Sequence, residues 1–311
     1  MCTLYTNVRG LTDHKEASMP GPTLIAVNGV ELCVEEFGER SDPALLLIAG
    51  AESSMDWWDT AFCERLAAGG RRVIRYDLRD TGASTSYPPG QPGYTTLDLF
   101  DDVVQLLLAL EAAPAHLVGI SMGGGIAAQV AMLHPELVAS LTVISFSPEG
   151  PGSEANGLPA MSAELAAAFS EPQEVVDWDD DEAVARNFIK AERLFSGSIP
   201  VDEARIRAIA GDVRRRSTSP LSAANHWQVA GEGEPRERLA DITAPTLVIH
   251  GTEDPLFPLP HGEALAREIP GARFMAITGM GHQNPPPPTW DEIVPAILDH
   301  TRRAGSGGAV S

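Results

Sequence analysis

Short apolar runs alternate with helical patterns along most of the chain, an order that predicts a mostly parallel sheet covered by helices. The runs TLIAV (23–27) and VELCVEEF (30–37) flank Asn28-Gly29 and predict two antiparallel strands. The run at 44–49 is apolar at every residue, as expected for a strand buried on both faces. Further strands are predicted at 72–77, 115–120, 141–146, 245–250 and 272–277, and helices at about 56–69, 95–112, 122–133, 260–268 and 289–303.

The alternation stops near residue 148, and residues 149–237 contain helical patterns without a convincing strand. A connection of about ninety residues in a compact domain needs structure of its own, so we expect an inserted helical cap. We therefore predict a flexible leader (1–22), a core (23–148 and 238–304), the cap (149–237) and a flexible tail (305–311). Both Met1 and Met19 are candidate start sites.

The chain is strongly acidic. Its 311 residues include 43 Asp and Glu against 22 Lys and Arg, a formal net charge of −21. Such a surface repels the phosphates of nucleic acids and anionic lipid headgroups, so we expect neither a nucleic acid nor a membrane as a partner. The 43% of hydrophobic and 21% of charged residues are typical of a globular chain, which we expect to be a monomer or a homodimer.

Three cysteines, Cys2, Cys33 and Cys63, form no CxxC spacing and are odd in number. This argues against a disulfide framework and a zinc site, and it fits a reducing compartment. No apolar run approaches about 18 residues, and the N-terminus lacks the pattern of a signal peptide. We therefore expect a cytoplasmic protein with no bound metal.

The motif GxSxG occupies residues 119–123, between a predicted strand and a predicted helix. In this setting the serine stands on a sharp turn, and small residues on either side let neighbouring backbone approach. The hydroxyl then projects at a helix N-terminus, where developing negative charge is stabilised. Ser121 is therefore the candidate nucleophile; the alternative is a glycine-rich turn that serves packing alone.

The candidate base and acid follow the order Ser, Asp or Glu, His that such a turn uses. Among eight histidines, His282 lies in a loop after the last predicted strand, where open α/β sheets carry reactive groups. Asp254 follows the preceding strand and is the candidate acid, because a carboxylate there can hold the imidazole tautomer. Glu253 and Glu149 are the alternatives for that acid.

Two backbone N–H groups are needed to stabilise an oxyanion. One is expected from Met122, directly after the serine, and the other from Ala51 in the loop after strand 44–49. The candidate substrate-pocket residues lie near that loop or in the insert. They are Glu52, Trp57, Phe188 and Trp227, and for the tryptophans local packing is an open alternative.

Four motifs together resemble the α/β-hydrolase superfamily from about residue 24 to 303. They are the strand leading to Gly50, DLRDTGAS (77–84), GISMGG (119–124), and the pair GTEDP (251–255) and GMGH (279–282). The resemblance implies an eight-stranded sheet flanked by helices, with the insert as a cap. The loop at 77–84 is similar to that of a narrower branch, the aclacinomycin methylesterases and other polyketide-tailoring esterases. Residues 49–52 depart from that branch, which tends to have paired glycines followed by Asn.

The resemblance and the residues together predict a cofactor-free serine hydrolase. Its expected partner is a small-molecule carboxylic ester, with a methyl ester of a polyketide-type compound as the narrower expectation. A lactonase or a C–C bond hydrolase would use the same side chains. A cofactor-free haloperoxidase or perhydrolase, and a non-catalytic binding protein on the same scaffold, are alternatives from other classes.

Overall fold

The computed structural model describes residues 21–149, 157–172, 175–229 and 236–306. Within these ranges eight strands form one sheet in the order β1-β2-β4-β3-β5-β6-β7-β8. The strands are β1 Thr23–Val27, β2 Val30–Phe37, β3 Ala44–Ile48, β4 Arg72–Tyr76, β5 Ala115–Ile120, β6 Val138–Ile144, β7 Thr246–Gly251 and β8 Arg273–Ile277. The β1–β2 and β2–β4 pairs are antiparallel and the other five pairs are parallel. This architecture confirms the predicted fold class.

The Asn28-Gly29 turn explains why β1 and β2 form an antiparallel hairpin. Asn28 and Gly29 have φ values of 45° and 76°, and the register pairs Val27 with Val30. Two consecutive positive φ angles give the turn whose twist matches that of paired strands, and Asn-Gly is the dipeptide that adopts it most readily. The predicted antiparallel pair is therefore present.

Helices cover the sheet and form the insert. The α-helices of the described ranges are α1 Thr60–Ala68, α2 Thr96–Ala109, α3 Met122–Leu133, α4 Ala163–Ser170, α5 Asp181–Phe195, α6 Glu203–Arg216, α7 Pro260–Glu268 and α8 Trp290–Ser306. Helix α3 packs on β5 and β6, α8 packs on β6, and α1 contacts both β4 and α8. The residues of β3, β4 and β5 are all buried, as the wholly apolar sequence of β3 predicts. The two arginines of β4 are buried in ion pairs with glutamates of β2.

Several predicted bounds are wrong for identifiable reasons. Strand β6 covers 138–144 rather than 141–146, because Ser145 has a left-handed φ of 46° that ends the strand. The early part of β6 was missed because it includes the polar Ser140, whose hydroxyl is buried against His116 Nδ1 at 2.8 Å. The helix predicted at 56–69 is split at Trp58 into a 3-10 helix, Met55–Trp57, and α1.

The ends of the chain and the insert are only partly described. Helix α8 continues to Ser306, two residues into the segment predicted as a tail. The remainder of that tail and residues 1–20 of the predicted leader lie outside the described residues, as do parts of the insert. No helix of the described ranges is long and apolar enough to cross a membrane.

The insert is fastened to the core by apolar packing and ion pairs. Trp57 and Phe188 pack against a cluster of buried aliphatic side chains from α5 and α6: Ile189, Ile206, Ile209 and Val213. Arg216, the last residue of α6, pairs with the buried Asp77 that follows β4. Arg205 of the same helix pairs with Asp59 at 2.7 Å. These contacts place α5 and α6 over the edge of the sheet where the strands end.

Candidate active site

Ser121 occupies the turn between β5 and α3. Its φ is 52° and its ψ is −121°. For a residue with a side chain this backbone conformation costs about 1–3 kcal/mol, so it persists only where the surrounding structure holds the residue in place. Its backbone N–H donates to the carbonyl oxygen of Ile144 at 2.9 Å, and its own carbonyl oxygen accepts from Gly125 at 3.1 Å. The turn therefore holds the serine hydroxyl in a fixed, strained position at the start of a helix.

The glycines on either side of Ser121 are required by close backbone contacts. A Cβ on Gly119 would lie 2.1 Å from the carbonyl oxygen of Gly123. A Cβ on Gly123 would lie 2.4 Å from the carbonyl oxygens of Ile48 and Ala49. Real Cβ atoms do not approach this closely, so the small residues of GxSxG have a steric reason in this fold.

The structure brings Ser121, His282 and Asp254 into one hydrogen-bonded chain. His282 Nε2 lies 3.0 Å from Ser121 Oγ, and His282 Nδ1 lies 2.9 Å from Asp254 Oδ2. With the imidazole neutral, Nδ1–H donates to the carboxylate and Nε2 is left to accept the proton of the serine hydroxyl. Such an arrangement can convert the hydroxyl into a nucleophile.

Asp254 is a buried carboxylate with three hydrogen-bond donors. Its Oδ1 accepts the backbone N–H groups of Leu256 at 2.9 Å and Phe257 at 2.8 Å, and its Oδ2 faces His282. Burial acts to raise the pKa of Asp254, but its electrostatic interaction and hydrogen bond with His282 and the backbone N–H of Phe257 outweigh burial and lower the pKa below its usual value. The carboxyl group is therefore ionised when His282 is oriented by it.

The two alternative acids are bound elsewhere. Glu253 accepts hydrogen bonds from the backbone N–H and the hydroxyl of Ser198, at 2.6 and 3.0 Å. Glu149 pairs with Arg236 at 2.9 Å. Of the three acids considered, only Asp254 faces His282.

A second histidine, His250 in β7, also lies beside Asp254. Its Nε2 is 2.7 Å from the carbonyl oxygen of Phe257 and 3.6 Å from Asp254 Oδ2. Burial lowers the pKa of His250, so the ring is neutral and adds a dipole, not a charge, beside the carboxylate. His250 lies in the strand that leads into the loop of Asp254, and this nearness in the sequence is the signal that could have identified it as a neighbour of the acid.

The two predicted oxyanion donors lie on either side of Ser121. The N–H of Met122 is the first of α3 and has no acceptor within the helix. The N–H of Ala51 donates to no group in the described part of the chain. The neighbouring Gly50 passes so close to Ser121 that a Cβ on it would lie 3.5 Å from the serine Cβ.

The four candidate pocket residues fall into two pairs. Trp57 and Phe188 stack with ring centroids 5.8 Å apart and join the 3-10 helix at 55–57 to α5. Trp227 is exposed and its indole N–H donates to the carboxylate of Glu52. Both pairs bridge the core and the insert, and contact with a substrate stays a prediction for all four.

Two aromatic rings flank His282, one from the insert and one from the loop after β7. Phe195, at the end of α5, has its ring centroid 5.9 Å from that of His282, and Phe257 lies at 5.3 Å. The carbonyl oxygen of Phe195 also accepts the backbone N–H of His282 at 2.8 Å. A Cβ on Gly281 would lie 2.2 Å from that same oxygen, so the insert and the histidine loop are in direct backbone contact.

The charged loop at 77–84 has a structural role. Asp77 accepts backbone hydrogen bonds from Met55 at 2.8 Å and Ala83 at 2.9 Å. Arg79 forms a bidentate ion pair with the buried Asp102 at 2.7 Å.

In the ranges that the structure describes, no group of three or more His, Cys, Asp or Glu side chains is arranged to hold a metal ion.

Comparison with known proteins places these residues in a family context. A family model of the alpha/beta hydrolase fold matches residues 43–284. The chain is 34% identical to rhodomycin D methylesterase DauP of Streptomyces sp. (strain C5), over 90% of this chain and 98% of that protein. It is 33% identical to rhodomycin D methylesterase DnrP of Streptomyces peucetius, over 91% and 99%. The solved enol-lactonase from Burkholderia xenovorans LB400 superposes with a TM-score of 0.69 at 26% identity, over 90% and 100%.

Proposed function

The chain belongs to the α/β-hydrolase family, and from this premise we propose that it is a carboxylic ester hydrolase that acts through a covalent intermediate on Ser121. The observation that carries the proposal is the continuous hydrogen-bonded chain from Asp254 through His282 to Ser121. The named activities of DauP and DnrP, which are methylesterases, support the ester as the bond that is cleaved.

In the first half of the reaction, His282 Nε2 removes the proton of Ser121 as Oγ attacks the ester carbonyl carbon. The carbonyl oxygen becomes an oxyanion and accepts hydrogen bonds from the N–H groups of Met122 and Ala51. Each donor contributes about 3–4 kcal/mol to the transition state in sites of this kind. His282 then returns the proton to the leaving alcohol, and the acyl group stays on Ser121.

In the second half, water takes the place of the alcohol. His282 removes a proton from the water, the resulting nucleophile attacks the acyl carbon, and Ser121 leaves with the proton that His282 returns. Asp254 stabilises the imidazolium in both halves and keeps Nδ1 protonated. The carboxylic acid is released and the enzyme is restored without a cofactor.

We propose a methyl ester on a polycyclic aromatic body as the substrate class. The two methylesterase relatives cover nearly the whole of this chain, and that likeness supports the methyl ester. The partly exposed ring of Phe195 beside His282 supplies apolar surface for a planar substrate, since aromatic pairs gain about 0.5–1.5 kcal/mol beyond their buried area. Residues 149–237, which bring Phe195 to the site, are accordingly proposed to be a substrate-binding cap.

An ester panel tests this function. Purified enzyme is incubated with the methyl and the isopropyl ester of one anthraquinone carboxylic acid, with p-nitrophenyl acetate and with a δ-lactone, and acid release is measured for wild type and Ser121→Ala. We expect the methyl anthraquinone ester to have the highest kcat/KM and Ser121→Ala to lose all four activities.

Preference for the lactone would move the assignment to a lactonase, the activity named for the enol-lactonase of similar structure. Formation of peracetic acid from acetate and peroxide at rates above ester hydrolysis would favour a perhydrolase. Turnover by Ser121→Ala equal to that of wild type would overturn the serine mechanism.

A further inference from the structure

A buried histidine of the insert makes a direct contact with the loop that carries Ala51. His226 lies in the 3-10 helix Pro220–Trp227, and its Nδ1 accepts the backbone N–H of Glu52 at 2.9 Å. Its Nε2 is 2.8 Å from the carbonyl oxygen of Arg79. One imidazole thus joins the insert, the loop after β3 and the loop after β4.

These two contacts fix the state of the ring. A backbone N–H can only donate, so Nδ1 carries no proton, and a carbonyl oxygen can only accept, so Nε2 does carry one. Burial lowers the pKa of His226, which favours the same neutral form. A protonated ring would place an N–H against the N–H of Glu52 and break the contact.

The contact falls on a strained part of the loop. The N–H of Ser53 donates to the carbonyl oxygen of Gly50 at 3.2 Å, which closes a four-residue turn around Ala51 and Glu52. Glu52 has a φ of 61°, an unfavourable value for a residue with a side chain. Rotation of the peptide between Ala51 and Glu52 would relieve that strain, but it would also turn the Glu52 N–H away from His226.

The segment around His226 is itself firmly held. Asn225 donates to Asp80 at 3.0 Å and accepts the backbone N–H of Gly90 at 2.6 Å. On the other side, the indole N–H of Trp227 donates to the Glu52 carboxylate. The acceptor at Nδ1 therefore has a fixed position relative to the turn.

We infer that His226 is a positioning residue. By holding the Ala51–Glu52 peptide in its strained orientation it fixes the turn from Gly50 to Ser53, whose first peptide, Gly50–Ala51, carries the Ala51 N–H that is directed at the oxyanion. The inference rests on the proposed function, because it requires an oxyanion at Ser121. Both ring nitrogens of His226 are engaged by backbone groups of Glu52 and Arg79, so its effect is on the geometry of the loop.

Two substitutions of His226 distinguish the roles of its two ring nitrogens. His226→Asn keeps an acceptor near the position of Nδ1, whereas His226→Gln keeps a donor near Nε2 and loses the acceptor for Glu52. With p-nitrophenyl acetate we expect His226→Gln to lower kcat about tenfold or more, with KM changed less than about threefold. His226→Asn is expected to retain at least about a third of kcat. Leu221→Ala, an exposed change in the same 3-10 helix, is the matched control.

A double variant tests the strain directly, and His226→Asn, which keeps the acceptor for Glu52, remains the comparison if His226→Gln folds poorly. Glycine adopts positive φ without penalty, so Glu52→Gly makes the turn less dependent on an external acceptor. The ratio of kcat between Glu52→Gly and Glu52→Gly/His226→Gln should then be below about threefold.

A kcat of His226→Gln equal to that of wild type, or an equal loss with and without Glu52→Gly, would overturn the inference. An active Ser121→Ala would instead overturn the proposed function, so the two failures are distinguishable.

Discussion

Replacing Asp254 with Asn should disable His282 while leaving the fold in place, and the structure determines which way the amide would face. Oδ1 of Asp254 accepts two backbone N–H groups, those of Leu256 and Phe257. If the Asn amide nitrogen pointed there, both backbone N–H groups would face another N–H donor and would lose their acceptor. Each buried backbone N–H left without an acceptor costs about 1–3 kcal/mol. The Asn oxygen will therefore stay at that position, and its NH₂ group will face His282 Nδ1.

The consequence is a change of tautomer. An NH₂ group opposite Nδ1 requires that nitrogen to accept, so the imidazole proton moves to Nε2, the atom that must take the proton of Ser121. In a triad of this type the wrong tautomer lowers kcat about 10⁴-fold, equivalent to about 5.5 kcal/mol. The thermal midpoint should change little, because the shape and the two backbone hydrogen bonds are kept.

The assay compares kcat for p-nitrophenyl acetate in wild type, Asp254→Asn and Glu253→Gln. Glu253→Gln is the matched control, since it is the same amide substitution one residue earlier in a side chain that binds Ser198. We expect the control to keep kcat within about threefold. ¹⁵N NMR of His282 should report the proton on Nδ1 in wild type and on Nε2 in Asp254→Asn. More than a tenth of wild-type kcat in Asp254→Asn, or an inactive Glu253→Gln, would show that Asp254 is not the residue that orients His282.

Three further changes test the support of the site. Gly123→Ala, whose Cβ would overlap two carbonyl oxygens at the end of β3, should lower the free energy of unfolding in urea by about 1–3 kcal/mol; an unchanged midpoint would contradict the contact. Arg216→Ala leaves Asp77 buried without its cation and should lower the free energy of unfolding by about 3 kcal/mol. The exposed control Arg215→Ala should lower it by less than about 0.5 kcal/mol, and equal effects of the two changes would argue against the ion pair. Burial lowers the pKa of His116 to about 4, so the unfolded chain binds its proton first as pH falls. The free energy of unfolding of wild type should therefore fall by about 2.5 kcal/mol relative to that of His116→Asn between pH 6.5 and 4. Parallel stability curves would argue against this buried neutral histidine.

Local sequence patterns were sufficient for the sheet and for the residues brought together at Ser121. The turn around Ser121 is defined by five consecutive residues, and its steric demands are met by glycines that are visible in the sequence. Asp254 and His282 each follow a strand, and parallel neighbours deliver their ends to one edge of the sheet. Position along the chain was therefore enough to propose these contacts.

Contacts between the insert and the core could not be read in the same way. His226 and Glu52 are 174 residues apart, and Arg216 and Asp77 are 139 apart. Neither pair has a spacing rule, because each depends on how α5, α6 and the following 3-10 helix dock on the sheet. The left-handed φ of Ser145, which ends β6 earlier than the apolar run does, likewise has no signal in a serine.

The proposed mechanism requires a covalent acyl intermediate on Ser121, and this intermediate can be trapped. Enzyme mixed with p-nitrophenyl acetate is quenched in acid within milliseconds, digested and examined by mass spectrometry. We predict one acetyl group on the peptide that contains Ser121, formed at the rate of the p-nitrophenol burst and absent from Ser121→Ala. An acetyl group on another residue with the same kinetics, or steady hydrolysis by Ser121→Ala with no adduct, would rule out an acyl-enzyme on Ser121.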